Sequence, residues 1–120
     1  MSTELEAIAR SFLQGTDSLQ DYLDFFTDDC HYKVANQPVV EGKASLSQAA
    51  ARFRSMVKSV RHEVLSCYEF EDRVVCDIIA TYTKNDGQVV TLPCLDIFTF
   101  SAAKIKSLQI FVDLSPLFAP

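Results

Sequence analysis

Apolar residues in the first half of the chain recur at three- and four-residue spacing, and from Arg61 onward that period disappears. Leu5, Ile8, Ala9, Phe12 and Leu13 predict a helix over 4–14, with Thr3 and Glu6 as a capping box and Gly15 as the stop. Leu19, Tyr22, Leu23, Phe25 and Phe26 predict the buried side of a short second helix, capped by Asp17 with Gln20 three residues on. Cys30, Tyr32 and Val34 alternate with His31 and Lys33, as in a strand with one face buried. Asn36-Gln37-Pro38 turns the chain, and Val39-Val40-Glu41 is long enough only for a short edge strand before Gly42. Ser45 and Gln48 then cap a third helix whose Leu46, Ala49, Ala50, Phe53 and Val57 lie on one side, the side that rests on a sheet.

Beyond Arg61 the pattern is strand and turn repeated, with turns at Glu71-Asp72, Asp86-Gly87 and Ser101-Ala102-Ala103 and a last strand over Ile105 to Val112. Consecutive hairpins make an antiparallel meander. Three helices mixed with two short strands and followed by four long strands make an α+β fold, with helices covering one face of a curved sheet.

The central hairpin carries the candidate chemistry. If Asp86-Gly87 is a two-residue loop, as the Asp-Gly dipeptide favours, Ile79 pairs with Cys94 and Asp77 stands directly opposite Asp96. A three-residue loop with Gly87 in a bulge would instead place Asp77 opposite Leu95. In the first register two carboxylates share an apolar neighbourhood, so they would hold one proton between them near neutral pH and serve as acid and base. On the same reasoning a Glu71-Asp72 loop sets Ser66 opposite Asp77, Tyr68 opposite Val75 and His62 opposite Thr81.

Composition narrows the choice. The chain has 120 residues, 48% hydrophobic and 22% charged, which suits one globular domain over 1–120. A net charge of -5 with scattered Lys and Arg argues against a nucleic-acid partner. No stretch has the length and apolarity of a membrane span or of a signal h-region, so a cytoplasmic protein is expected. Cys30, Cys67, Cys76 and Cys94 are too far apart in sequence for a zinc motif and read as reduced core thiols; neither metal nor cofactor is expected.

Phe25-Phe26-Thr27-Asp28-Asp29 before the first strand, Val40-Glu41-Gly42 before the third helix, and the ending Lys104-Ile105 through Phe111-Val112-Asp113-Leu114 together resemble the nuclear transport factor 2-like superfamily, in its SnoaL-like branch. The resemblance spans nearly the whole chain. It implies a cone, with the curved antiparallel sheet wrapped around three N-terminal helices and an internal cavity, shared by polyketide cyclases, ketosteroid isomerases and limonene epoxide hydrolase. Leu95-Asp96-Ile97-Phe98-Thr99-Phe100 is similar to the isomerase strand that bears a protonated aspartic acid, which gives Asp96 that place. The isomerase's base would fall near Val34 and its tyrosine near Arg10 to Phe12, where neither residue type matches. Asp77 and Asn36 resemble the epoxide hydrolase's catalytic aspartate and water-binding asparagine, with Val75 and Ile110 in place of its arginine and second aspartate. His62 and Asp17 resemble the histidine-aspartate pair of the dehydratase branch.

The expected function is therefore cofactor-independent acid/base chemistry on a small, apolar or polycyclic molecule in the cone, of isomerase, cyclase, dehydratase or epoxide hydrolase type. Catalysis would rest on Asp77, Asp96, His62 and Asp17, against a wall of Ser66, Tyr68, Asn36, Cys94, Phe98, Leu108, Ile110 and Phe53. The alternative is a non-catalytic ligand-binding or dimerisation module. Asp113 reads as structural, and Tyr22 and Tyr68 as packing residues. Leu95, Ile97 and Thr99, with Ile78, Ala80 and Tyr82 beside them, would make an outer face apolar enough to drive homodimerisation.

Overall fold

The computed structural model describes residues 4–118. Helix α1 (Glu4–Leu13) buries Ala9, Phe12 and Leu13 and places Glu4 and Glu6 in its first turn and Arg10 in its last, matching the helix dipole at both ends. The Arg10 Nε donates to Glu6 Oε2 at 2.9 Å, one turn apart; the expected cap Thr3 lies outside the described residues. Helix α2 (Leu19–Leu23) is capped by Ser18, whose hydroxyl accepts from the Asp21 N–H, and not by Asp17. It ends at Asp24, and Phe26, expected on its buried side, opens strand β1 (Phe26–Val34) instead.

The short edge strand β2 (Val40–Glu41) forms as expected. Helix α3 (Lys43–Met56) starts before Ser45, at a Gly42 cap with φ 85, so the Ser45 and Gln48 capping box is not used. Val57 opens strand β3 (Val57–Phe70) and does not close the helix, which makes that strand longer than the loss of helical period suggests. Strands β4 (Arg73–Lys84), β5 (Val89–Ser101) and β6 (Lys104–Val112) complete the meander, and a short helix α4 (Ser115–Phe118) follows. Asp113 accepts from both the Ser115 N–H (3.0 Å) and the Ser115 hydroxyl (2.7 Å), a structural role that starts α4.

The six strands lie in the order β2-β1-β6-β5-β4-β3. β3 to β6 are antiparallel neighbours, and β1 joins β6 in parallel, an orientation made possible by the long excursion through α3 and the meander. The result is an α+β curved sheet with α1 to α3 in the N-terminal half and α4 after the last strand.

The central hairpin takes the three-residue loop. The Gly87 N–H donates to the Lys84 carbonyl (2.9 Å), the Lys84 N–H donates to the Gln88 carbonyl (2.8 Å), and Gly87 has φ 90. Asp86 Oδ1 accepts from the Gln88 N–H at 2.9 Å, which closes the loop over its own side chain. Asp77 therefore pairs with Leu95 and Asp96 with Cys76. The expected opposition of Asp77 and Asp96 is overturned: a slip of one residue sends alternate side chains to opposite faces.

The Glu71-Asp72 hairpin keeps Phe70 with Arg73, Tyr68 with Val75 and Ser66 with Asp77 as expected. A register shift between Val64 and Ser66 then sets His62 opposite Ala80 and not Thr81. Leu65, at the irregularity, is 53% exposed.

The concave face carries one core of Phe12, Phe26, Leu46, Val74, Ile78, Phe98, Ile105 and Leu108 under α1 and α2. A second cluster of Val57, Ala80, Tyr82, Leu92 and Leu117 lies towards α4, with Val112 touching both. Ile78, Ala80 and Tyr82, expected to face outward, are thus interior, and the outward residues of β4 are Val75, Asp77 and Ile79.

Candidate functional site

Along β5, Leu92, Cys94, Asp96, Phe98 and Phe100 are all buried, because strand alternation sends this set to the concave face. Asp96 is carried inward with its apolar neighbours and is 2% exposed, the buried charged residue of the described chain. Its cross-strand partners are Cys76 on β4 and Ile110 on β6, and Cys76 in turn faces Cys67 on β3. One row of concave-face positions thus reads Cys67, Cys76, Asp96, Ile110.

The Cys94 thiol donates to Asp96 Oδ1 at 3.1 Å. Burial pushes the Asp96 carboxyl up from 3.8 to about 6, and the Cys94 hydrogen bond opposes that rise. Three tyrosines lie within electrostatic reach of the carboxyl: Tyr22 of α2, Tyr32 of β1 and Tyr82 of β4. Burial raises all three, Tyr32 to about 12, so each is a neutral hydroxyl at physiological pH. Tyr22 and Tyr32 lie close enough for each to shift the other's pKa, and the Arg54 guanidinium sits 5.7 Å from the centre of the Tyr22 ring. The Asp96 carboxyl can hand over or accept a proton, and the tyrosines within its electrostatic reach are neutral hydroxyls.

Phe98 and Leu108, paired across β5 and β6, are 0% and 1% exposed and close the floor beneath this group. Phe12 meets Phe98 at 5.8 Å and Tyr22 at 5.1 Å between ring centres. Phe53 belongs to the second cluster, edge-on to Tyr82 at 6.0 Å. Ile110 is half-buried beside Asp96. Two surface depressions are not lined by Asp96: one of about 460 Å³ bounded by Val40, Ser45 and Arg52, the other of about 250 Å³ bounded by Ile8, Phe25 and Lys104.

The remaining expected site residues are dispersed. Asp77 is exposed on the convex face with Ser66 beside it, and Tyr68, on the same face, is 65% exposed. Asn36 is exposed in the turn after β1. His62 does reach the concave face, but its Nδ1 lies 3.0 Å from the Leu13 carbonyl, one of the last of α1, and Asp17 is exposed. The carbonyl can only accept, so Nδ1 carries the proton and Nε2 is the free lone pair of a neutral ring; burial lowers the His62 pKa and the carbonyl contact opposes this. His62 is level with Ala80 and Leu92, two strands from β5 and roughly 13 Å along the strand direction from Asp96.

The sequence reading missed Tyr32 and Tyr82 as site residues and took Tyr22 as packing alone. Tyr32 was legible as a buried-face position from its alternation with Cys30, whereas Tyr82 followed the wrong hairpin register outward. Among the described residues, no group of three or more His, Cys, Asp or Glu side chains is placed to hold a metal ion, and no helix is long and apolar enough to cross a membrane.

Solved structures of similar fold include a protein assigned as a SnoaL-like polyketide cyclase from Jannaschia sp. CCS1 (TM-score 0.81, 20% identity, covering 96% of this chain and 88% of that one). An NTF2-like protein of unknown function from Burkholderia pseudomallei K96243 superposes with a TM-score of 0.87 at 12% identity, covering 98% and 96%. The epoxide hydrolase/cyclase-like enzyme SalBIII, described in pyran ring formation in the polyether salinomycin, does so with a TM-score of 0.81 at 17% identity, covering 93% and 92%. At these identities the likeness is one of fold. No curated protein matches the chain by sequence. The sequence pattern of the SnoaL-like domain, however, matches residues 6–108, most of the chain, and the protein belongs to the SnoaL-like domain family.

Proposed function

We propose that this protein is an enzyme performing cofactor-independent acid/base chemistry on a small, largely apolar molecule bound on the concave face, with Asp96 as the proton-transfer group. The observation that carries the reading is a single carboxyl, 2% exposed, bonded by the Cys94 thiol in a largely apolar interior, with Tyr22, Tyr32 and Tyr82 within electrostatic reach. A carboxyl with a pKa near 6 exists in both forms close to neutrality, as a proton-transfer group requires. The ionised form takes a proton from a carbon next to a carbonyl or from an attacking hydroxyl, and the neutral tyrosine hydroxyls donate to the oxygen on which charge develops. Asp77 takes no part, because it faces solvent on the other side of the sheet. His62 is too far along the face to share a proton with Asp96 directly and is assigned to positioning α1. The fold shared with SalBIII and with a protein assigned as a SnoaL-like polyketide cyclase supports this class of chemistry by analogy only.

A second reading, a non-catalytic binding module, is favoured by the near-complete enclosure of Asp96 and by the Phe98 and Leu108 floor. The two separate in one experiment. Wild type and Asp96→Asn are assayed against small lipophilic enolisable carbonyl compounds and epoxides, with binding followed separately by tyrosine fluorescence. Loss of turnover by about 10²-fold or more with binding retained supports the enzyme; binding without turnover in either form supports the module.

A homodimer through the convex face is part of the same proposal. Leu95, Phe111, Tyr68 and Phe70 are exposed there, and Val75, Ile79 and Ile97 are half-buried on the same face, with Asp77 and Arg73 among them; exposed large apolar groups on one face suit an interface. The four free cysteines fit a reducing, cytoplasmic setting.

A further inference from the structure

Cys67 and Cys76 are direct partners across β3 and β4, and their sulfurs lie 3.1 Å apart with both thiols free. Opposed residues of antiparallel strands have Cβ atoms about 4.5 to 5.5 Å apart, and a disulfide needs about 3.5 to 4.5 Å, so a bridge here asks for a small local tightening of two strands and no rearrangement of the fold. The pair is also reachable. β3 is an edge strand of the sheet, and Cys67 on it is half-buried while Cys76 behind it is fully buried. A cation stands close by: the pKa of Arg10 is pushed up first by its hydrogen bond to Glu6 and next by Cys67, which puts the guanidinium within electrostatic reach of that sulfur.

We propose that Cys67 and Cys76 form a reversible dithiol/disulfide pair that reacts with hydroperoxides. The Cys67 sulfur, after losing its proton to solvent, attacks the peroxide oxygen; the O–O bond breaks and leaves Cys67 as a sulfenic acid, with the alcohol or water as the other product. The Cys76 sulfur then attacks the Cys67 sulfur, the S–O bond breaks, and the Cys76 proton leaves with the hydroxyl as water. The two thiols lose two electrons and two protons, and the peroxide is reduced by the same two electrons. Cys30 and Cys94 stand apart from this chemistry: Cys94 bonds the Asp96 carboxyl and Cys30 lies on β1. Because Cys76 is also the cross-strand partner of Asp96, the bridge forms one strand away from the candidate site.

The test uses the full chain. It is treated with hydrogen peroxide, quenched, unfolded and labelled with a maleimide, and the labelled thiols are counted by intact mass. The four thiols of the untreated chain should fall to two and return to four after dithiothreitol. Trypsin cuts after Arg61, Arg73 and Lys84, so the non-reduced digest should contain peptides 62–73 and 74–84 joined, a mass that dithiothreitol removes. In Cys76→Ala, dimedone should trap the Cys67 sulfenic acid that can no longer be resolved. Four labelled thiols after peroxide, a loss that dithiothreitol does not restore, or a bridge mapped to Cys30 or Cys94 would overturn the proposal.

Discussion

Asp96 stands directly opposite Cys76 across β4 and β5, and both side chains enter the apolar interior. Asp77, the next residue along, consequently points to solvent. The acid/base chemistry proposed here therefore depends on one buried carboxyl and its tyrosine neighbours and not on a pair of carboxylates.

Asp96→Asn should raise stability at neutral pH. The folded-state pKa of about 6 lies above the ordinary 3.8, so the native protein holds the proton more tightly than the unfolded chain, and stability is lost as pH rises from about 4 through about 6. The rise corresponds to roughly 3 kcal/mol at pH 7. Urea unfolding at pH 4, 5 and 7 should show wild type weakening relative to Asp96→Asn across this window; parallel curves would mean that the carboxylate has donors that compensate its burial.

Activity against any accepted substrate should rise with pH on a limb centred near 6 if Asp96 acts in its ionised form. A pH profile of kcat/KM measures it, and a limb falling through the same pH would assign Asp96 the acid role instead.

Asp77→Asn should leave turnover unchanged and stability within about 0.5 kcal/mol, as for most exposed positions. A deficit in turnover comparable to that of Asp96→Asn would return Asp77 to the site.

Gly87→Ala should destabilise by about 1 to 2 kcal/mol through backbone strain alone. The φ of 90 is one that L side chains avoid, while nothing lies within 4 Å of the added Cβ. Equal denaturation midpoints for variant and wild type would argue against this loop.

Leu95→Glu, at the centre of the convex face, should convert a dimer to a monomer without loss of fold. Light scattering alongside circular dichroism separates the two effects, and a wild-type chain that is monomeric at micromolar concentration would remove the dimer.

The order and type of the elements up to the last strand, though not the short α4, were legible in the sequence, because helical spacing over 4–14, the paired turn residues at Glu71-Asp72 and the Asp-Gly hairpin are local properties of the chain. Asp96 was legible too, as an ionisable residue inside an apolar run between Cys94 and Phe98. The Glu71-Asp72 hairpin register, extended three residues, also sets Cys67 opposite Cys76.

What only the tertiary structure decided was register and face. Both faces of β4 and β5 are largely apolar, so alternation could not tell inside from outside, and the choice between a two-residue and a three-residue loop rested on the backbone of Gly87 and the Asp86 side chain that closes over it. The shift at Leu65 had no local signal, yet it alone turned His62 from the Thr81 register to Ala80 and brought its ring to the Leu13 carbonyl. The placing of Tyr22 and Tyr32, and of Tyr82 further along β4, within electrostatic reach of Asp96 is likewise a product of packing. Residues far apart in sequence share one interior there because the curved sheet and α2 bury their apolar neighbours together, which no periodicity within one segment records.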